Sequence, residues 1–398
     1  MEQVLAGHII NDEFFEFINS NIECVDESKL MLQSKPLGFD KSFAATQIVC
    51  RKKCKTKIPE LLSFPRFIFP TKVSSEQCTA EVVAKFHASL FYHEDAVLDM
   101  TAGLMVDDYY ISHHCKSLLA IEINTEIAEI DAYNATFLGL SNVQILTEDS
   151  IEFLKRTDSF FDVIFVDPAR RGSNYKRFYD FHDCSPDILS NLDLIMTKSK
   201  RLIVKGSPML DITKSCADFL PYLSKVYVIS VKNECKELLY ILDFINVAND
   251  YEIEAINFDS SVQHYTLKKA TKHDIVSFLY PKEQMYLYEP NSSIMKSGGF
   301  DSLCLDFGLN RMHQNTHLFL HNNNLADFPG RKFIITNIYK FKNFKQAKIT
   351  NANVAVRNFK LSADELRKKF KISDGGDIYI FGVTVCDHEQ LILVCEKM

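Results

Sequence analysis

Val97–Ser112, VLDMTAGLMVDDYYIS, decides how this chain is read. A short apolar run ends in Asp99, a turn carries Gly103, and two acids, Asp107 and Asp108, open a second apolar-periodic segment. That is the pattern of a strand feeding a loop and then a helix. In an open parallel sheet, the loop at the carboxyl end of the first strand is where a nucleotide-like ligand lies.

Working outward, the pattern alternates. Candidate strands fall at 97–100, 118–122, 143–146, 162–166, 201–205, 225–231 and 237–243, with helical spacers between the first six. Strands this apolar, separated by helices, predict a parallel sheet covered on both faces. Only KNECK joins the last two, too short for a helical crossover, so they should pair as a hairpin that adds an antiparallel strand at the sheet edge. Upstream, Thr79 can cap a helix that carries Val83, Phe86 and Leu90 at helical spacing, with Glu81 in its first turn. Residues 1–65 read as helical, with segments opening at Asp12-Glu13, spanning Asp26 to Leu32, and running from Phe43 to Leu62. The third contains RKKCKTK (51–57), read as a solvated helix face in preference to an RNA contact.

Beyond the sheet, 252–268 suggests a two-stranded extension, and 276–322 is mixed, with a short helical piece between turns. Residues 331–398 read as a compact α/β module: FIITNIYKF and NVAVRNF as strands, a helix from Ser362, then DIYIFGVTV and QLILVCE as a further strand pair. Ser362-x-x-Glu365 has the spacing of a capping box.

Composition excludes several classes. The 398 residues suffice for two or three domains, and 46% apolar with 24% charged residues argue against disorder. Eleven cysteines without paired spacings read as reduced thiols, and Cys50-x3-Cys54 has no matching partner pair, so no metal site is expected. No signal peptide or membrane-spanning run is evident, which makes a cytoplasmic location the expectation. Net charge is −7, but Arg331–Lys371 holds twelve Lys or Arg against two acids. That segment carries +10 and the remainder −17, a basic module on an acidic body that can attract nucleic acid locally.

Acids recur at the strand ends. Asp99 is followed four residues later by Gly103, with Thr101 between them; Glu122 lies 23 residues after Asp99; Asp149-Ser150 follow the third strand; Asp167-Pro168-Ala-Arg170-Arg171 follow the fourth. The Asp99–Glu122 interval is near the ~20 residues expected for an acid that binds ribose hydroxyls after the second strand. A nicotinamide enzyme is disfavoured because Gly103 is the loop's only glycine and no G-x-G-x-x-G cradle exists.

In this layout the chain resembles the class I S-adenosylmethionine-dependent methyltransferases, with a Rossmann-like seven-stranded sheet. The resemblance implies S-adenosyl-L-methionine as cofactor, held by Asp99, Thr101, Gly103, Glu122, Asp149 and Ser150. The DPARR run is similar to the catalytic loop of nucleic-acid methyltransferases, which reads Asp or Asn, Pro, Pro, then an aromatic residue or Arg. There Asp167 would accept a hydrogen bond from a base amino group, Pro168 would stiffen the loop, and Arg170 would contact base or phosphate. Ala169 stands where the second proline is usual. Arg171, Lys205, Arg367 and Lys368 are the expected substrate contacts. Cys184 is read as a buried thiol in preference to a nucleophile.

EQCTAE, DPARR, DCSPD, VKGSPMLDI, YLYEPNSSIMKSGGF and the tail from FPGRKF onward together resemble bacterial class I methyltransferases with a small ferredoxin-like domain and a carboxyl-terminal THUMP-like domain. The expected domains are 1–65 helical, 66–275 methyltransferase, 276–322 ferredoxin-like and 323–398 THUMP-like and basic. The resemblance implies an RNA substrate, tRNA or rRNA, methylated at a base nitrogen and bound through 331–371. The chain departs from the family where Met105 replaces a second glycine, which keeps open the alternative of an RNA-binding protein with a degenerate methyltransferase fold; a small-molecule methyltransferase is a third reading, on which the basic cluster Arg367, Lys368 and Lys369 plays no part.

Overall fold

The structure, a computed structural model, describes residues 3–23, 38–170, 180–268 and 277–398. The chain divides into two units, residues 1–224 with 239–251, and residues 225–238 with 252–398.

The first unit begins with a β-hairpin, Gln3–Leu5 and His8–Ile10, where helix was expected. Helix α1 (Asp12–Asn21) follows, capped by the Asn11 side chain, and then α2 (Lys41–Cys54), capped by Asp40. The expected Phe43–Leu62 helix is two helices, α2 and Pro59–Leu62, because proline fits a helix's first turn but not its interior. The expected helix from Asp26 to Leu32 lies outside the described residues. Phe14, Phe43 and Ile48 of this region share one core with Ile68 and Ile130, so it packs on the sheet's own flanking helix.

The sheet strands are β1 (Ala96–Asp99), β2 (Ser117–Glu122), β3 (Val143–Thr147), β4 (Phe161–Val166), β5 (Ser199–Gly206), β6 (Leu223–Val231) and β7 (Glu234–Asp243). From β7 the order runs β5, β4, β1, β2, β3, and the pairs from β5 to β3 are parallel. Val97, Leu98, Val163, Ile164 and Phe165 are buried, as strands covered by helices on both faces must be. Among the covering helices are α3 (Glu81–Ala88), α4 (Val106–Ser112), α5 (Thr125–Phe137) and α6 (Ser150–Arg156). Asp99 pairs with Ala120 on one side and Phe165 on the other, which sets the first-strand acid at the carboxyl edge between β2 and β4.

In the second unit, β6 pairs in parallel with β8 (Glu252–Phe258), which pairs antiparallel with β9 (Val262–Leu267). The expected two-stranded extension is therefore present. The expected edge position of the antiparallel strand is not: β7 has β5 and β6 as its neighbours. A second sheet holds β10 (Tyr286–Pro290), β11 (Asn310–Arg311), β12 (Phe319–His321), β13 (Gly330–Lys340), β14 (Asn353–Arg357), β15 (Ile378–Thr384) and β16 (Gln390–Lys397). Its order is β11-β12-β10-β13-β16-β15-β14. Helix α7 (Ala363–Phe370) starts at Ser362 with the reciprocal Ser362–Glu365 capping box that the spacing predicts. No helix among the described residues is long and apolar enough to cross a membrane.

Candidate functional site

The carboxyl ends of β1, β2 and β4 open onto a cavity of about 630 Å³. Asp99, Thr101, Gly103, Glu122, Asp149, Ser150 and Asp167 all line it, so the acids predicted from strand ends converge on one space.

Each is held by local backbone. The Thr101 backbone N–H donates to Asp99 Oδ1 at 2.6 Å and its hydroxyl to the same oxygen at 3.3 Å, folding the loop back over the strand end. The Thr101 hydroxyl oxygen in turn accepts the Asp167 N–H at 2.8 Å, tying the β1 loop to the β4 loop. Glu122 receives the Gly103 N–H at 3.1 Å on one oxygen and the Asn124 N–H at 2.8 Å on the other. Gly103 sits at φ +62°, a left-handed position, and a Cβ there would meet only the Thr101 carbonyl at 3.8 Å. The turn therefore asks for glycine on conformational grounds. Asp149 caps α6, accepting the N–H groups of Ile151 and Glu152, and lines the cavity as well.

Met105 occupies the next strained position. Its φ is +48°, where glycine costs nothing and a side chain about 1–2 kcal/mol. Its side chain is 1% exposed and absent from the cavity lining, although Leu104 and Val106 on either side belong to it. The methionine turns into the protein, and the observation that motivated a degenerate site falls away.

The electrostatics divide the site in two. Asp99 is 2% exposed, and burial pushes its carboxyl up to about 7. Asp108, fully buried beside it, is pushed well above the carboxylate range by burial and then by Asp99. Two such carboxyls favour the protonated form more than exposed acids do. Asp107 is the opposite case. Burial pushes its carboxyl up, but Lys205, then His87 and Thr79, outweigh that and hold it well below the ordinary range.

Lys205 explains the difference. The sequence marks it as a substrate contact; in the structure its side chain is 7% exposed and it is not among the residues that line the cavity. Its ammonium lies 2.7 Å from Asp167 Oδ2 and 3.2 Å from Asp107 Oδ2, and donates to the Thr79 hydroxyl oxygen at 2.8 Å. Thr79 donates to Asp107 Oδ2 at 2.6 Å, and Nδ1 of the buried His87 lies 2.8 Å from Asp107 Oδ1. Thr79 therefore does not cap α3; the cap residue is Ala80, without a side-chain bond. Sequence reasoning missed Asp107 and His87. The available signal was that Asp107 and Asp108 stand between Val106 and Tyr109, all within a helix too apolar to turn two acids outward.

The other expected site residues fare differently. Pro168 is half-buried and outside the cavity lining, while Ala169 lines it and pairs with Ser185 across a short antiparallel bridge. Arg170 is described only as backbone paired with Cys184, and Arg171 lies outside the described residues. Cys184 is buried, as expected of a structural thiol. Arg51, in the segment read as solvated, is buried and donates to the Pro65 and Phe67 carbonyls at 3.0 and 2.5 Å.

Comparison with known proteins places the second unit. A family model described as a ferredoxin-like domain matches residues 286–329, and one described as THUMP domain-like matches 330–397. This chain carries a THUMP-like domain. The boundary between the two matches falls at the start of β13, and β10 and β12 of the first share one sheet with β13–β16 of the second. A crystal structure from Porphyromonas gingivalis W83, provisionally designated a methyltransferase, is 27% identical with a TM-score of 0.85, covering 96% of this chain and 97% of that one. The two chains therefore share their architecture nearly end to end. A curated relative, an uncharacterized RNA methyltransferase of Mycoplasma mobile, is 33% identical over 98 residues, 23% of this chain and 27% of that protein. This chain thus matches about a quarter of that relative's length.

In the THUMP-like domain the predicted basic contacts differ from one another. Arg367 is bonded to Asp364 and Asp374 at 2.5 and 2.6 Å, so its guanidinium serves α7 itself. Lys368 is exposed, as are Lys360 and Lys369, whose ammonium groups lie over the Phe341 ring at 4.0 and 5.1 Å.

Proposed function

We propose that this protein is an S-adenosylmethionine-dependent RNA methyltransferase acting on a base nitrogen. The observation that carries the reading is the convergence of Asp99, Glu122, Asp149 and Asp167, from four successive strand ends, on one cavity. Its volume is that of a small-molecule cofactor site. The donor set fits the cofactor: the buried Asp99 suits an ammonium, Glu122 suits a pair of ribose hydroxyls, and Asp149 with Ser150 suits an adenine edge. When bound, S-adenosylmethionine supplies a sulfonium methyl group.

The chain's own residues do the rest. Asp167 is half exposed at the cavity. Its carboxylate accepts an N–H of the substrate amino group and so turns the nitrogen lone pair toward the cofactor. The same carboxylate can take the proton that the substituted nitrogen sheds. The exposed lysines of the THUMP-like domain supply phosphate contacts. The RNA methyltransferase relative and the THUMP domain-like match support RNA as the substrate class.

Calorimetry with S-adenosylmethionine tests the cofactor assignment. Asp99→Ala and Glu122→Ala should each weaken binding by tenfold or more, on the order of the 1.5–3 kcal/mol of a hydrogen bond to a charged group. Unchanged affinity in both variants removes the assignment.

A further inference from the structure

Asp167 is the side chain on which the proposed chemistry turns, yet it stands half exposed where the loop after β4 begins. A free carboxylate there would sample several rotamers, and a misplacement of about 1 Å in a reacting constellation can cost 100-fold in rate. What faces it is unusual: a lysine taken out of water on the neighbouring strand end.

We infer that Lys205, with Asp107, Thr79 and His87 behind it, is a positioning network that fixes the Asp167 carboxylate for catalysis. The inference rests on the reading of Asp167 given above. Lys205 projects from β5 and meets Asp167 Oδ2 at 2.7 Å, which leaves Oδ1 for the substrate N–H. A lysine ammonium rotates freely unless its other donors are also fixed. Here the Asp107 carboxylate and the Thr79 hydroxyl take them, at 3.2 and 2.8 Å. Asp107 is fixed in its turn by Thr79 and by His87, a fully buried residue of α3. The anchoring groups come from three places in the chain, before α3, in α3 and in the first turn of α4, so the network spans the packed layer and not one flexible loop. A second carboxylate also answers a charge question: two acids against one lysine and one histidine keep the buried cation paired whether or not substrate engages Asp167.

Thr79 and Asp107 reach the cavity wall, but Lys205 itself does not line the cavity and acts through Asp167, so it is a positioning residue. Its removal should lower kcat and leave binding alone. For Lys205→Met we expect kcat for methyl transfer to RNA to fall about 100-fold, with KM for RNA and the calorimetric Kd for S-adenosylmethionine within twofold of the native protein. A crystal structure of the variant should show the Asp167 carboxylate rotated or in more than one rotamer. If Lys205→Met fails to fold because Asp107 is left an unpaired buried anion, the double variant Lys205→Met/Asp107→Asn removes that charge and should show the same loss of kcat and the same freed Asp167. A folded variant with native kcat and an unmoved Asp167 overturns the network. So does a loss expressed only in Kd or melting temperature, which is what a merely structural lysine produces. Asp167→Ala separates this inference from the reading beneath it. If Asp167→Ala is inactive while the Lys205 variants work normally, the network fails alone; if Asp167→Ala is fully active, the base-nitrogen reading fails.

Discussion

Lys205 and Lys368 are both marked by the sequence as substrate contacts, and they live under different physics. Lys205 is 7% exposed and faces two carboxylates and a hydroxyl. Lys368 is exposed on a short helix of the THUMP-like domain. A desolvated cation persists only where partners face it, so what it contributes is fixed geometry. An exposed cation contributes a field, which salt screens over about 8 Å at physiological ionic strength. On the proposed reading, the same residue type thus separates the chemistry from the capture of substrate.

Breaking the buried side should have the largest effect. Lys205→Ala leaves Asp107 without its cation, and stability should fall by about 3–5 kcal/mol, read in denaturant melts. A loss below about 1 kcal/mol would mean that water already reaches the pair. Leu98→Ala, in the buried strand that carries Asp99, should cost a similar or smaller amount, roughly 2–5 kcal/mol, and serves as the apolar control for the same melts. On the exposed side, the Lys360→Ala/Lys368→Ala/Lys369→Ala variant should lose at most about 1–2 kcal/mol of stability, the two contacts to the Phe341 ring being worth about 0.5–1 kcal/mol each. Its RNA affinity should fall, and the slope of log K against log salt should shrink by about 0.7 to 0.9 for each phosphate that the variant no longer neutralises. An unchanged slope would separate these lysines from RNA. Arg367 is omitted because its bonds to Asp364 and Asp374 would mix stability into the result.

The smallest effect sharpens the contrast by pH. Asp99 is pushed up to about 7 by burial, so the folded protein holds a proton there that the unfolded chain gives up near the usual carboxylate range. Its contribution to stability is complete at acid pH and is lost as pH rises through about 7. Cofactor binding runs the other way, because an ammonium prefers the carboxylate. Affinity for S-adenosylmethionine should rise between pH 6 and 8, with proton release on binding at the lower pH, measured by calorimetry in buffers of different ionisation enthalpy. A flat profile would place the ammonium away from Asp99.

How much of this is legible in the sequence follows from where each residue sits. Asp99, Glu122, Asp149 and Asp167 are readable because a parallel sheet brings successive strand ends to one edge, and chain order alone then predicts their meeting. Thr79, His87, Asp107 and Lys205 are not, since no local pattern relates a residue before a helix, one inside it, one in another helix and one on β5. Their meeting depends on how α3 and α4 pack. Lys205 stands out by position but its direction does not, because a lysine at a strand end looks the same in sequence whether it faces water or two carboxylates within the protein. The antiparallel strand is recognisable from its short turn, yet its place beside β5 instead of at the edge is a matter of long-range pairing that turn length does not encode. Met105 raises doubt as a residue type, and its backbone angle and burial resolve it.

The central claim is that one cavity joins a methyl-donor site to an RNA base through Asp167. The direct test is transfer of an isotope-labelled methyl group from S-adenosylmethionine to RNA from a strain lacking this protein, followed by nucleoside mass spectrometry, for the native protein and for Asp167→Ala. The account predicts label on a base nitrogen with the native protein, and none with Asp167→Ala although that variant binds cofactor with native affinity. Label at the native rate with Asp167→Ala, or no label in RNA while a small molecule is methylated, would contradict it.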